Sequence, residues 1–314
     1  MYAKYFVLFA ILFTGWFLRK INFIDDKMNH SMNKLIVYFA YPCLIVHNIG
    51  NVDMTGKVVL DFLITFLISL ICFFIYGAVS FGYAKARKFP KDCSNVAEFA
   101  MSTPNNGFMG FPVSLIFFGE KGLFLMLAHN AAMNFYIFTY CMGLLNRNNP
   151  EKKKATFRSI TRATLKFLLN PNILALFIGF ALSLLGGILP DVIDEYLLYI
   201  GNVSTPMAMI FIGSSLATAD LKQVFTTRIN IESSIVKLII LPLLTVVLVM
   251  FLPVDPLIKS IVVLGIAFPT AATVSMLAEQ EKQSVITASQ ILVLSTIASI
   301  ATVPGTISLL NAIF

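Results

Sequence analysis

Charge is what this sequence has least of. Asp, Glu, Lys and Arg make up only 12% of its 314 residues, against roughly 25% in a soluble domain, while 58% are hydrophobic and the mean hydropathy is +0.83. Stretches such as Val58–Tyr83 carry almost no charge, so a soluble fold would lack the polar shell it needs. That excludes a water-soluble domain and predicts an all-α polytopic membrane protein. Nucleotide and catalytic signatures are missing too. No G-x-x-x-x-G-K-[ST] run is present to cradle ATP. There is no H-E-x-x-H, no G-x-S-x-G and no pair of intramembrane aspartates, so the chain is not expected to be an enzyme. Of the 4 cysteines, Cys43, Cys72 and Cys141 sit in apolar spans and Cys93 beside a basic loop, with no metal or disulfide spacing. They read as small packing residues, and no metal or cofactor is expected. The net charge of +7 lies in short clusters that alternate between loops. This is a topology signal, and no nucleic-acid partner is expected.

What is present is a series of apolar spans with repeated punctuation. Tyr2–Leu18 is followed by Arg19 and Lys20; a secretory signal has the reverse layout, so a retained span is expected. Leu35–Gly50 is interrupted at Pro42 and carries His47. Val58–Tyr83, Asn95–Phe118 and Gly122–Leu145 complete a first set of five, and a basic loop follows. Ile173–Leu189, Tyr196–Ala219 broken at Pro206, Ile231–Leu252 with Pro242, Leu257–Ala278 broken at Pro269, and Ser284–Ile313 with Pro304 form a second set. The expected organisation is a first five-helix repeat at 1–145, a basic cytoplasmic loop at 146–167 and a second repeat at 168–314.

The strongest punctuation falls in the fourth span. Ser102–Gly119 reads STPNNGFMGFPVSLIFFG, with Pro104, Gly107, Gly110 and Pro112 interrupting it. Proline removes a donor and glycine favours irregular backbone, so this run cannot be one unbroken helix. Freed backbone groups inside a membrane must face protein or a water-filled cavity, which marks a site. The ninth span repeats the break at Pro269. Lysines and arginines gather in the loops after spans one, three, five, seven and nine; only Lys4, Lys57, Lys121 and Lys259 fall on the opposite side. Those loops are therefore cytoplasmic and both termini face outward. An odd number of spans per half makes the halves inverted. Paired broken spans in inverted halves point to a transporter site at their crossing.

The second-span AYPCLIVHNI, fourth-span PNNGFMGFP, seventh-span STPMAMIFIGSSLATAD, ninth-span AFPTAATVSMLAEQ and tenth-span STIASIATVP resemble the auxin efflux carrier family. That family includes plant PIN carriers and bacterial malate/malonate permease-like proteins. The resemblance runs along essentially the whole chain and is closer to the bacterial members, because the long cytosolic loop of many plant carriers is absent. It implies ten transmembrane helices in two inverted five-helix repeats, with helices four and nine broken and crossing, as in relatives of the bile-acid/sodium symporters. It also implies a secondary transporter for small organic anions in the cell membrane, with a homodimer as a compatible assembly. Asn105 takes the position of the Asn that binds substrate carboxylate in plant carriers, Pro112 and Pro269 match the crossover prolines, and His47 falls where plant carriers also have a histidine. Thr270-Ala271-Ala272 departs from the plant pattern, which argues against auxin itself.

Around the breaks, half-helix ends offer free N–H groups and positive dipole ends to carboxylates. Asn105 and Asn106 can add amide donors without charge, Gly107 and Gly110 shape the backbone, and Thr270 and Thr273 offer hydroxyls from the ninth span. Glu98 and Asp220 are candidates for a coupling proton or sodium ion. Asp61 and Lys237 are expected near span ends, where a long lysine reaches the interface. The basic loop is expected to contact anionic lipid of the bilayer. The alternative is a membrane sensor or receptor on a transporter scaffold, although no signalling domain is attached.

Overall fold

The computed structural model describes residues 2–52, 55–147, 168–186, 189–218 and 220–314. Among them the regular structure is helical. In chain order the helices are α1 (Tyr2–Lys20), α2 (Asp26–Leu35), α3 (Tyr41–Gly50), α4 (Gly56–Ala86), α5 (Lys91–Ser102), α6 (Phe111–Tyr136) and α7 (Met142–Leu145). After the basic loop come α8 (Pro171–Leu184), α9 (Asp191–Leu216), α10 (Leu221–Thr226), α11 (Arg228–Ile235), α12 (Leu241–Met250), α13 (Pro256–Ala267), α14 (Ala272–Gln280) and α15 (Val285–Ile313). Beyond Arg147, the loop expected at 146–167 lies outside the described residues.

Helix starts follow ordinary capping chemistry. Asp25 accepts from the Met28 N–H at 2.6 Å to open α2, and Asp255 accepts from the Leu257 N–H at 2.8 Å ahead of Pro256 in α13. These side chains satisfy donors that the first helical turn leaves unpaired. Among the described residues five segments are long and apolar enough to cross a membrane: Gly56–Ala86, Asn106–Leu145, Asp191–Leu216, Arg228–Met250 and Val285–Ile313. Pro171–Leu184 and Pro256–Ala267 are shorter apolar helices. The 26-residue α6 is divided by Gly119, at φ 67° and ψ −162°. Only glycine enters that region freely, so the fourth and fifth expected segments meet there.

The prolines act in two ways. Pro42, Pro112 and Pro242 each stand second in a helix that follows a π-helical turn, at Ile36–Ala40, Asn106–Gly110 and Val236–Ile240 respectively. The wider turn absorbs the missing N–H. Pro206 does not break the seventh segment as expected: it lies inside the continuous α9, and Pro304 lies inside α15. A long helix held by its neighbours tolerates the loss of one bond. A second correction concerns Lys237. It does not reach an interface but is 0% exposed within the Val236–Ile240 turn.

The chain divides into two compact units. One comprises the described parts of Met1–Leu63, Phe111–Phe124 and Leu165–Thr218. Its α1 and α9 approach so closely that a Cβ on Gly15 or Gly213 would overlap the backbone of Ile210 or Leu12. Small residues at such contacts let backbones meet where no hydrophobic drive between helices exists. The other unit comprises the described parts of Ile64–Gly110, Leu125–Thr164 and Ala219–Phe314. Its interior is built on Phe99, Val262, Ile266 and Ile307, all at 0% exposure. Within it the two broken segments meet.

Candidate functional site

The second unit brings the two breaks together. Helix α5 ends at Ser102 and α13 at Ala267, and each is followed by extended backbone. Pro104 and Thr270 form an antiparallel bridge. Asn105 donates its N–H to the Pro269 carbonyl at 2.7 Å, and Ala271 donates its N–H to the Thr103 carbonyl at 3.1 Å. The two segments thus satisfy each other where neither can continue as a helix, as buried backbone requires. Side chains add to the joint. The Thr270 hydroxyl donates to the Ala100 carbonyl at 3.0 Å, and the Ser295 hydroxyl oxygen accepts from the Thr270 N–H at 3.0 Å.

Beyond the joint the helices resume. The Asn106–Gly110 turn leads into α6, and α14 starts at Ala272 with no side-chain cap. Both resumed segments begin at the joint. Asn105 is 3% exposed, and its Oδ1 accepts from the Phe108 N–H at 3.3 Å. That contact turns the carbonyl of the amide to the new helix and leaves the Nδ2 donor without a partner among the described residues. Asn106, at 0% exposure, makes a long contact from Nδ2 to the Met133 sulfur at 3.6 Å, and its Oδ1 has no partner among the described residues. Buried amide groups are ordinarily satisfied, and an unsatisfied one costs about 1–3 kcal/mol. Two adjacent ones beside uncapped N–H groups make an uncharged site for a polar or anionic group.

Gly107 is half-buried, and a Cβ placed there meets nothing within 4 Å. Open space therefore adjoins the asparagines. Gly110 differs: a Cβ there would meet the Phe268 ring at 3.3 Å. Of the other expected residues, Pro269 and Thr270 form the joint itself, and the Thr270 proton is committed to it. Thr273 lies exposed on α14, and Pro112 is buried at the start of α6.

The remaining candidates are not gathered at the joint. Glu98, 3% exposed on α5, pairs with Arg147 and accepts from the Ser94 hydroxyl at 3.0 Å. Asp220 is exposed and caps α10 through the Lys222 N–H at 3.0 Å. His47 belongs to the first unit, where its Nδ1 lies 2.7 Å from Asp194 Oδ1 and Asn51 donates to the same oxygen at 2.8 Å. Sequence reasoning passed over Ser295. Its signal was the close spacing of the hydroxyl residues Ser295, Thr296 and Ser299 within the tenth span, which the structure buries.

The family model described as membrane transport protein matches residues 1–307. An uncharacterized transporter of Methanothermobacter thermautotrophicus is 22% identical over 296 residues, covering 94% of this chain and 93% of its own length. An uncharacterized transporter of Methanocaldococcus jannaschii is 22% identical over 266 residues, 84% of each chain. A Rhizobium meliloti protein named "Putative malonate transporter" is 24% identical over 314 residues, covering 97% of this chain and 94% of its own length. With this match along almost its whole length, and with the motifs of the auxin efflux carriers at its joint, the chain belongs to the membrane transport protein family and is a multi-pass membrane protein.

Proposed function

We propose that this chain is a secondary transporter for small organic anions, with mono- or dicarboxylates such as malonate and malate ahead of auxin-like acids. The observation that carries this reading is the Asn105 amide, buried with its donor unpaired at the joint of two broken helices. A carboxylate accepts from Asn105 Nδ2 and from N–H groups at the resumed helix starts, where the dipoles favour negative charge. Asn105, Asn106 and the joint residues carry no charge, which suits the weak, reversible binding that turnover needs. The name of the Rhizobium meliloti relative supports a small dicarboxylate.

In this reading the chain spans the plasma membrane ten times as two inverted repeats with both termini outside, and it performs no chemistry on its substrate. Alternating access is a motion of the unit holding spans one, two, six and seven against the unit holding the crossing. A homodimer is compatible with it. The test is uptake and counterflow of labelled malonate and malate in proteoliposomes. Counterflow that falls with Asn105→Ala supports the reading. Absence of flux for every small carboxylate, with no effect of Asn105→Ala on ligand binding, sinks it. A membrane sensor on the same scaffold would bind without flux, so counterflow also separates these two.

A further inference from the structure

Behind the joint lies a cluster that the carboxylate site does not use. Lys237 is 0% exposed, and its Nζ has no hydrogen-bond partner among the described residues. His129 on α6 is also 0% exposed; its Nδ1 lies 2.8 Å from the Ser69 hydroxyl, and its Nε2 is unpartnered. Helix α13, whose Gly265 lies against the His129 ring, also packs on the Val236–Ile240 turn that carries Lys237. The ring packs on Phe73 at 5.0 Å between centroids and against Gly265 of α13, where a Cβ would overlap it. One helical turn further along α6, Met133 touches Asn106. His129 therefore stands one turn from the residue that touches Asn106, on the helix that contacts the substrate asparagines.

An isolated buried charge is costly unless paired, and among the described residues neither Lys237 Nζ nor His129 Nε2 has a hydrogen-bond partner. Among the elements packed on the Val236–Ile240 turn, α5 carries Glu98, which is held by Arg147. Helix α11 carries Glu232, which is held by Arg87 and Arg228. Asp92 near the start of α5 is exposed, and Lys259 of α13 donates to the Met250 carbonyl. Helices α12 and α15 have no titratable side chain. On α4, beside Ser69, Tyr76 is bonded to the Thr245 hydroxyl at 2.7 Å and Cys72 lies against Tyr76. Among the described residues these two bases are buried, and the carboxylates of the elements packed on the Val236–Ile240 turn are either paired or exposed. The missing counter-charge has an obvious source in a protein that carries anions.

We infer that Lys237 and His129 form a proton-binding site, and that the proton loaded there is the counter-charge for the carboxylate at Asn105 and Asn106, so that proton and anion move together. This rests on the carrier reading and adds to it the coupling ion. On loading, an O–H bond of hydronium breaks as the N–H bond forms and a water molecule is left; on release the N–H bond breaks and the O–H bond of hydronium forms again.

The experiment uses the full chain in proteoliposomes, labelled malonate as probe, and a clamped membrane potential. Wild-type counterflow without a gradient tests the carrier reading alone. A gradient of one pH unit, alkaline inside, is then imposed. With one proton per anion, steady accumulation rises about tenfold over the gradient-free value. Lys237→Met, close in shape but unable to bind a proton, brings this ratio to about one, and His129→Gln, read separately, lowers it as well. Thermal melts show whether each variant is folded, and His129→Gln keeps the test in place if Lys237→Met is not. Wild-type counterflow with no response to the gradient overturns the inference, as does an unchanged ratio in a folded variant. No wild-type counterflow overturns the carrier reading and this inference with it.

Discussion

Asn105 donates its backbone N–H to the Pro269 carbonyl at 2.7 Å, across a separation of more than half the chain. Its side-chain Oδ1 caps the turn that follows, at the Phe108 N–H. One residue thus closes the joint with its backbone, starts the next helix with its carbonyl, and keeps a single buried donor unassigned. Replacing it separates these roles, because the backbone bond survives any side chain while the donor does not.

Asn105→Ala is expected to weaken carboxylate binding about 10- to 100-fold, the loss of a hydrogen bond to a charged group. Asn105→Asp should do worse at neutral pH, since it removes the donor and adds repulsion. Competition binding of malonate to purified protein measures both. Equal affinity in wild type and Asn105→Ala would remove Asn105 from the site.

Thr270 supplies the joint rather than the ligand. Thr270→Val keeps the volume but leaves the Ala100 carbonyl without its donor, a cost of about 1–3 kcal/mol for a buried acceptor. Thr270→Ser retains the hydroxyl and is expected to recover most of that loss. Chemical denaturation in detergent micelles orders the three proteins, and a Val variant as stable as wild type would show that the bond contributes nothing.

The joint was legible because Pro104 and Pro269 remove donors at corresponding places in two apolar runs, and chemistry that local can be read without a fold. Pro206 and Pro304 carry the same local signal, yet their helices run on; whether one lost bond breaks a helix depends on what packs around it. Lys237 shows the same limit more sharply. Its place near a span end pointed to water, but its burial arises from helices distant in sequence. Likewise Glu98 and Arg147 are 49 residues apart, and no spacing rule connects them. The asparagines stood out as polar residues among breakers, whereas which of their atoms is free follows only from the Phe108 and Met133 contacts.

Glu98 is 3% exposed and Arg147 about one-third exposed, and the guanidinium also lies 5.0 Å above the Phe81 ring. Glu98→Gln should destabilise the protein by about 2–3 kcal/mol, below the 3–5 kcal/mol of a fully buried pair because Arg147 keeps some water. Adding Arg147→Met to Glu98→Gln should cost less than the sum of the single variants, since each already loses the same interaction. Additive losses in a thermal-melt cycle would show that the two groups do not act as a pair.

Gly213 and Gly305 allow a test of close packing in which one substitution has opposite expected signs. Both lie in long helices, where Ala is favoured over Gly by about 1 kcal/mol through backbone entropy alone. At Gly305 a Cβ meets nothing within 4 Å, so Gly305→Ala should raise stability by about that amount. At Gly213 the Cβ would overlap the Leu12 carbonyl and lie 2.9 Å from the Trp16 nitrogen. Backbone atoms cannot swing aside as a side-chain tip can, so α1 and α9 must part and lose contacts along their length. Overpacking of this kind costs about 1–3 kcal/mol, which outweighs the entropy gain, and Gly213→Ala should lower the melting temperature. A rise in both variants would mean that α1 and α9 do not meet through Gly213.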